Sequence, residues 1–237
     1  MKKLLSLIAL TSSLFAGQVF ADRPDGHQHH WMTYHLKITN TTAHVIIAPT
    51  TVVAHNGKYK MFEVTQPASD ELVTMAETGN PGPLSMAAES DPNVYAVAVG
   101  VDDAGNPSPI PPGHSLMISI MAPRHAFFTL AGMLATTNDG FMAAVNIAAP
   151  RVHQSTHAHG MSYDAGSEMN NENCDYIPAP PCNNGINMRA EFDPVTGERI
   201  SEGFVTIHNG VHGGADLNPK DLDWRGPTAL ITIHNEG

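Results

Sequence analysis

Short runs in which apolar and polar positions alternate, separated by turn residues, dominate this chain. Tyr34-His35-Leu36-Lys37-Ile38-Thr39 puts every second side chain on one apolar face, the pattern of a half-buried strand. Ser115 to Met121 repeats it with Leu116, Ile118 and Ile120 on one face. Ala43 to Val53 is extended chain rich in β-branched residues and broken at Pro49, and Val94 to Val101 is an unbroken small-apolar strand. The latter runs into Asp102-Asp103-Ala104-Gly105-Asn106-Pro107, a turn by composition. Phe204 to His208 and Thr228 to Ile233 predict two further strands. Helical spacing is rare: Leu72, Val73 and Ala76 behind Asp70-Glu71 predict one short helix over 69–76. Many short strands punctuated by 18 prolines and 20 glycines predict an all-β fold, a sandwich or a barrel, with at most one or two short helices. Residues 151–200 read as loop-heavy, and loops of such length in a compact domain tend to be functional or metal-tied.

The N-terminus changes the compartment. Lys2-Lys3, an apolar Leu4 to Leu14 and the small-residue site ending at Ala21 predict a secretory signal peptide over 1–21. That apolar stretch is shorter than a spanning helix requires, and no later stretch approaches the roughly 20 apolar residues needed. Secretion or a periplasmic location is therefore expected, with no transmembrane segment. A polar, His-rich lead-in follows over 22–33, and a single domain over 34–237.

Charge narrows the partners. The formal net charge is −11, and losing Lys2 and Lys3 with the leader, which carries no acid, makes it −13. Such a chain repels nucleic acid and anionic headgroups unless a cation bridges them. The two cysteines, Cys174 and Cys182, predict a small disulfide-closed loop in an oxidising compartment.

Several motifs occur in an order that resembles the spondin N-terminal domain. They are Gln66-Pro67-Ala68-Ser69-Asp70-Glu71-Leu72, Ala76-Glu77-Thr78-Gly79-Asn80, Pro112-Gly113-His114-Ser115, Thr137-Asn138-Asp139-Gly140-Phe141, Tyr163 to Asn170, and Asp223-Trp224-Arg225-Gly226-Pro227. The resemblance covers roughly Tyr34 to His234, and without the partner modules of the animal proteins the chain resembles the single-domain bacterial members. It implies an antiparallel β-sandwich related to calcium-dependent lipid-binding domains. It also implies calcium ligated by Asp139, Asp164 and Glu168, where some members carry aspartate at the last position. Calcium takes six to eight oxygens, and Gly166 lets the backbone curl so that Asp164 and Glu168 face one point. Asn138, Asn170 and backbone carbonyls are further oxygen donors. The same residues also suit loop capping, in which Asp and Asn bond their own backbone.

Fourteen histidines and twelve methionines raise a second reading. Imidazole and thioether suit copper, and imidazole suits zinc. His208 and His212, with distant His55, form the concrete version of a periplasmic or surface copper- or zinc-binding site. Met117, Met121, Met133 and Met142 read as packing residues. No Gly-x-Ser-x-Gly elbow, His-Glu-x-x-His or phosphate loop occurs, so a non-catalytic structural or interaction module is expected, with a protein or surface ligand as its partner.

Overall fold

A computed structural model describes residues 30–182, 193–197 and 199–237. The leader over 1–21 and most of the His-rich lead-in lie outside the described residues. The strands are β1 (Trp31–Asn40), β2 (Thr51–His55), β3 (Val94–Val99), β4 (Ser115–Pro123), β5 (Phe127–Met133), β6 (Gly140–Ala148), β7 (Ser155–Asp164), β8 (Thr206–Ile207) and β9 (Ala229–Asn235). The helices are α1 (Asp70–Thr78), α2 (Gly82–Ser90) and the single turn α3 (Pro219–Leu222). The fold is all-β, and beyond the one or two short helices the sequence pattern predicts it has, among the described residues, the turn α3 and a 3-10 turn over Cys174–Tyr176.

Every strand pairing is antiparallel, in the order β3-β2-β5-β6-β7-β9-β1-β4, with β8 on β7. Strand β7 serves both halves: its end pairs with β6, whereas Ser155 to Gly160 pair with β9. The edge strands β3 and β4 pack together, so the layers nearly close on themselves. Tyr34, Leu36 and Ile38 of β1, Ile118 and Ile120 of β4, and Ile231 and Ile233 of β9 point inward. They meet Val52, Ala54, Phe128, Leu130 and Ile147 of the other layer. Tyr34 and Phe128 touch edge to face at 5.0 Å between centroids.

The two layers differ on their outer faces. Helices α1 and α2 cover β2, β5 and β6, burying Leu72, Met75, Leu84 and Ala88 against Val53, Ala131, Met133 and Phe141. Among the described residues no helix covers strands β4, β1, β9 and β7, and most of their outward positions are half-buried or exposed. Helix α1 starts where Ser69 caps it, accepting a hydrogen bond from the Leu72 amide, and ends at Gly79 in the left-handed conformation.

Some local readings differ. Strand β1 begins at Trp31, ahead of the alternation that starts at Tyr34. The stretch read as loop after residue 150 contains β7. Met133 and Met142 are fully buried as expected, but Met117 is 54% exposed, because it lies on the outward register of β4. Cys174 and Cys182 form the expected disulfide. No helix among the described residues is long and apolar enough to cross a membrane. Both features are compatible with an exported chain.

Candidate metal centre

Asp139 and Asp164 are brought together by strand pairing. Asp139 immediately precedes β6, Asp164 ends β7, and Gly140 lies directly opposite Asp164 in the ladder. They therefore sit at adjoining strand ends, not on two free loops. The turn before β6 is knitted by Thr137, whose hydroxyl donates to the Leu134 carbonyl at 2.7 Å and accepts from the Gly140 amide at 2.9 Å. After β7 the chain reverses at Gly166, whose φ of +69° favours glycine. A Cβ at Gly166 would lie 2.2 Å from the Phe204 carbonyl oxygen. This reversal swings residues 167–168 back over Asp139.

All three sequence-predicted carboxylates are buried: Asp139 and Asp164 are 0% exposed and Glu168 is 2% exposed. Asp139 Oδ2 accepts from the Ser167 amide at 2.7 Å, the Ser167 hydroxyl at 3.0 Å and the Glu168 amide at 3.0 Å. Asp164 Oδ1 accepts from the Gly166 amide at 2.7 Å, and its Oδ2 accepts from the Asn170 side chain. Glu168 Oε1 accepts from Arg199 at 3.3 Å, and the same guanidinium pairs with Glu77 of α1. Two carboxylate oxygens are left over: Asp139 Oδ1 and Glu168 Oε2 are buried without a hydrogen-bond partner among the described residues. Asn138 donates to Asn171 and accepts from the Glu172 amide, tying the first loop to the segment beyond the second.

Ionisation is disfavoured at all three acids. Burial raises Asp139, against the pull of its hydrogen bonds from Ser167 and Glu168. Burial, then the adjacent Asp139 charge, raises Asp164. Glu168 is pushed up to about 8 by burial, then by the charges of Glu77 and Asp139, against the opposing effect of Arg199. One guanidinium thus serves Glu77 and Glu168, and the aspartates have no cationic partner among the described ion pairs. The donors are hard oxygens, which suit calcium rather than a soft metal. Among the described residues, however, no three His, Cys, Asp or Glu side chains are already gathered as a metal-holding group. The carboxylates form a hydrogen-bonded cluster with two unpartnered oxygens, not a finished cage.

The histidine constellation looks different. His55 lies in β2, with Nε2 2.9 Å from the Thr129 hydroxyl and Nδ1 accepting from the Gly57 amide at 3.1 Å. Burial lowers it to about 4. His208 Nδ1 accepts from the Gly210 amide at 3.1 Å, which puts the proton of the neutral ring on Nε2. That Nε2 is buried without a partner among the described residues, and burial, then the His212 charge, lowers His208 to about 4. His208 packs against Trp224 at 5.1 Å. The structure places His208 and His212 near each other, and no contact among the described residues joins either to His55.

Sequence reasoning missed three charged residues here. Glu77 and Arg199 complete the acid cluster. Glu172, buried and with a φ of +57°, accepts from the His212 and Gly214 amides and so fastens residues 212–214 beneath the site. Glu77 lies in a motif singled out above; Arg199 and Glu172 stand in stretches without period or motif. Beside Tyr163, a cleft of about 270 Å³ is lined by Tyr59, Phe62, Thr129, Val145 and Asn146. No family model matches the chain, and no curated protein matches it in sequence.

Proposed function

We propose that this chain is an exported, non-catalytic spondin-like domain that binds one calcium ion through Asp139, Asp164 and Glu168 and acts as a structural or interaction module. The observation that carries the reading is the pair of buried, unpartnered carboxylate oxygens, Asp139 Oδ1 and Glu168 Oε2, within a cluster whose charge one arginine does not balance. A buried acceptor without a partner costs about 1–3 kcal/mol, more when charged, and a bound cation removes that cost. Calcium would join the turn before β6 to the reversal after β7, with Asn138, Asn170 or backbone carbonyls completing its shell.

The burial of all three carboxylates suits a structural cation better than contact with a substrate. The cleft beside Tyr163 adjoins the strand end that carries Asp164, so a cation there would stiffen one wall of a surface open to a partner. Nucleic acid does not suit a chain of net charge −11.

The test is elemental analysis and thermal melting of tag-free protein, first stripped with chelator and then titrated with calcium or magnesium. One calcium per chain and a midpoint that rises with calcium support the reading. A midpoint that calcium leaves unchanged overturns it.

A further inference from the structure

The outer face of β4-β1-β9-β7, which no helix covers among the described residues, is rich in histidine and hydroxyl side chains. Register places Ser119, His35, His234 and Ser155 in one row across the four strands, and Met117, Lys37, Thr232 and His157 in the next. His159 follows on β7, opposite Leu230. Histidines thus recur on three adjacent strands, on a face whose only acid in these rows and their flank is Glu236.

Their ring orientations are held by hydroxyls. His157 Nδ1 lies 3.1 Å from the Thr232 hydroxyl directly opposite, and His234 Nδ1 lies 3.1 Å from the Ser155 hydroxyl directly opposite. These two bonds cross the same β7–β9 ladder at successive outward positions, so His157 and His234 are diagonal neighbours. Diagonal positions sit about 7–8 Å apart at the backbone, within reach of long side chains. Both Nε2 atoms are without a hydrogen bond among the described residues. A hydroxyl accepts or donates equally well, so each ring can carry its proton on Nδ1 and offer the Nε2 lone pair. Metal-binding histidines have this arrangement: one ring nitrogen fixed by a neighbouring acceptor and the other free for the ion. His35 differs, since its Nδ1 meets Ser119 at 2.9 Å and its Nε2 meets Glu236 at 2.9 Å, so both of its nitrogens are occupied.

We infer that the diagonal pair His157–His234 is a surface site for a divalent transition-metal ion of the copper–zinc class. Two imidazole nitrogens would hold the ion and water would complete its shell. Imidazole binds copper(II) most strongly in the divalent first-row series, with zinc below it. The acidic chain draws cations towards it at long range. The site is separate from the carboxylate cluster and from His55, His208 and His212, and it stands whether or not calcium binds.

The experiment titrates copper(II), and separately zinc, into calcium-loaded, tag-free protein, with calorimetry for stoichiometry and electron paramagnetic resonance for copper–nitrogen coupling. His157→Gln, His234→Gln and the double variant are compared with the unchanged protein, and His35→Gln serves as a control. The lead-in histidines, His27, His29 and His30, are common to all, so whatever they bind cancels. Each single variant is expected to weaken one equivalent at least tenfold, and the double variant to lose it with its nitrogen coupling, while His35→Gln retains it. Near-ultraviolet circular dichroism checks that the fold survives, as these exposed positions allow. A double variant that takes up both metals like the unchanged protein overturns the inference, as does a loss that follows only one of the two histidines.

Discussion

Replacing Glu168 with glutamine separates the cost of a buried charge from the effect of the cation proposed to offset it. Without metal, burial and the neighbouring acids raise this carboxyl from 4.5 to about 8. A carboxyl with a raised folded pKa leaves stability intact below its unfolded value and erodes it as pH rises through the folded value. At about pH 7.5, roughly three pH units separate the medium from the unfolded pKa. At about 1.4 kcal/mol per unit this caps the penalty near 4 kcal/mol. The value of about 8 already includes the Arg199 contact, and relaxation and water penetration around a buried charge bring the penalty to about 2 kcal/mol. In a domain of this size that is worth about 4–8 °C in the melting midpoint. Chelator-stripped Glu168→Gln should therefore melt above the stripped unchanged protein at pH 7.5, and the two should converge near pH 5. Millimolar calcium should reverse the order, because only the unchanged protein gains stability by mass action. Scanning calorimetry at the two pH values, with chelator and then with calcium, reads all four comparisons. Equal stripped midpoints at pH 7.5, or an equal rise with calcium in both proteins, would refute the reasoning.

Gly166→Ala forces a Cβ to within 2.2 Å of the Phe204 carbonyl at a positive φ, so a loss of at least about 2 kcal/mol in urea unfolding is expected, together with the calcium response; a neutral result would mean the reversal is not rigid. His55 is held neutral at about 4, below its ordinary 6.5, so it contributes stability fully above 6.5 and loses it as pH falls towards 4. His55→Gln should flatten the acid limb of stability measured in chelator between about pH 6.5 and 4, and an unchanged slope would count against it. Changing Cys174 and Cys182 together to serine opens a short loop and should cost about 2–3 kcal/mol by denaturant titration while calcium still raises the midpoint.

The two layers explain which strands were legible. Tyr34, Leu36 and Ile38 alternate with His35 and Lys37 because β1 buries one face and exposes the other, and β4 and β9 obey the same rule. Strand β5 lies between the core and the helices, so Phe128 to Met133 are all buried and no period marks them. Strand β7 disguises itself differently: Ala158, Gly160 and Ser162 face inward while His157 and His159 face out, which reads as polar loop. Helix α2 opens on Pro81-Gly82-Pro83, a turn by composition, yet proline is well tolerated in the first turn of a helix.

The same geometry governs the candidate site. Asp139, Asp164 and Glu168 were found through ordered motifs, and no local pattern revealed that strand register would set Asp139 and Asp164 side by side. Arg199 was invisible because it acts through space, reaching both α1 and the reversal after β7. Its presence sharpens the calcium proposal. A guanidinium that pairs with Glu77 and Glu168 leaves Asp139 and Asp164 buried without a cationic partner among the described ion pairs. A divalent cation there would find Asp139 Oδ1 and Glu168 Oε2 as its uncommitted oxygens and would have to draw on Asp164 oxygens that already accept from Gly166 and Asn170. Calcium on Glu168 would compete with Arg199 for that carboxylate, so Arg199→Met should tighten calcium binding in calorimetric titration while lowering the melting midpoint of the chelator-stripped protein; weaker calcium binding would count against the competition. The helix layer and the metal site would then be linked through a single side chain.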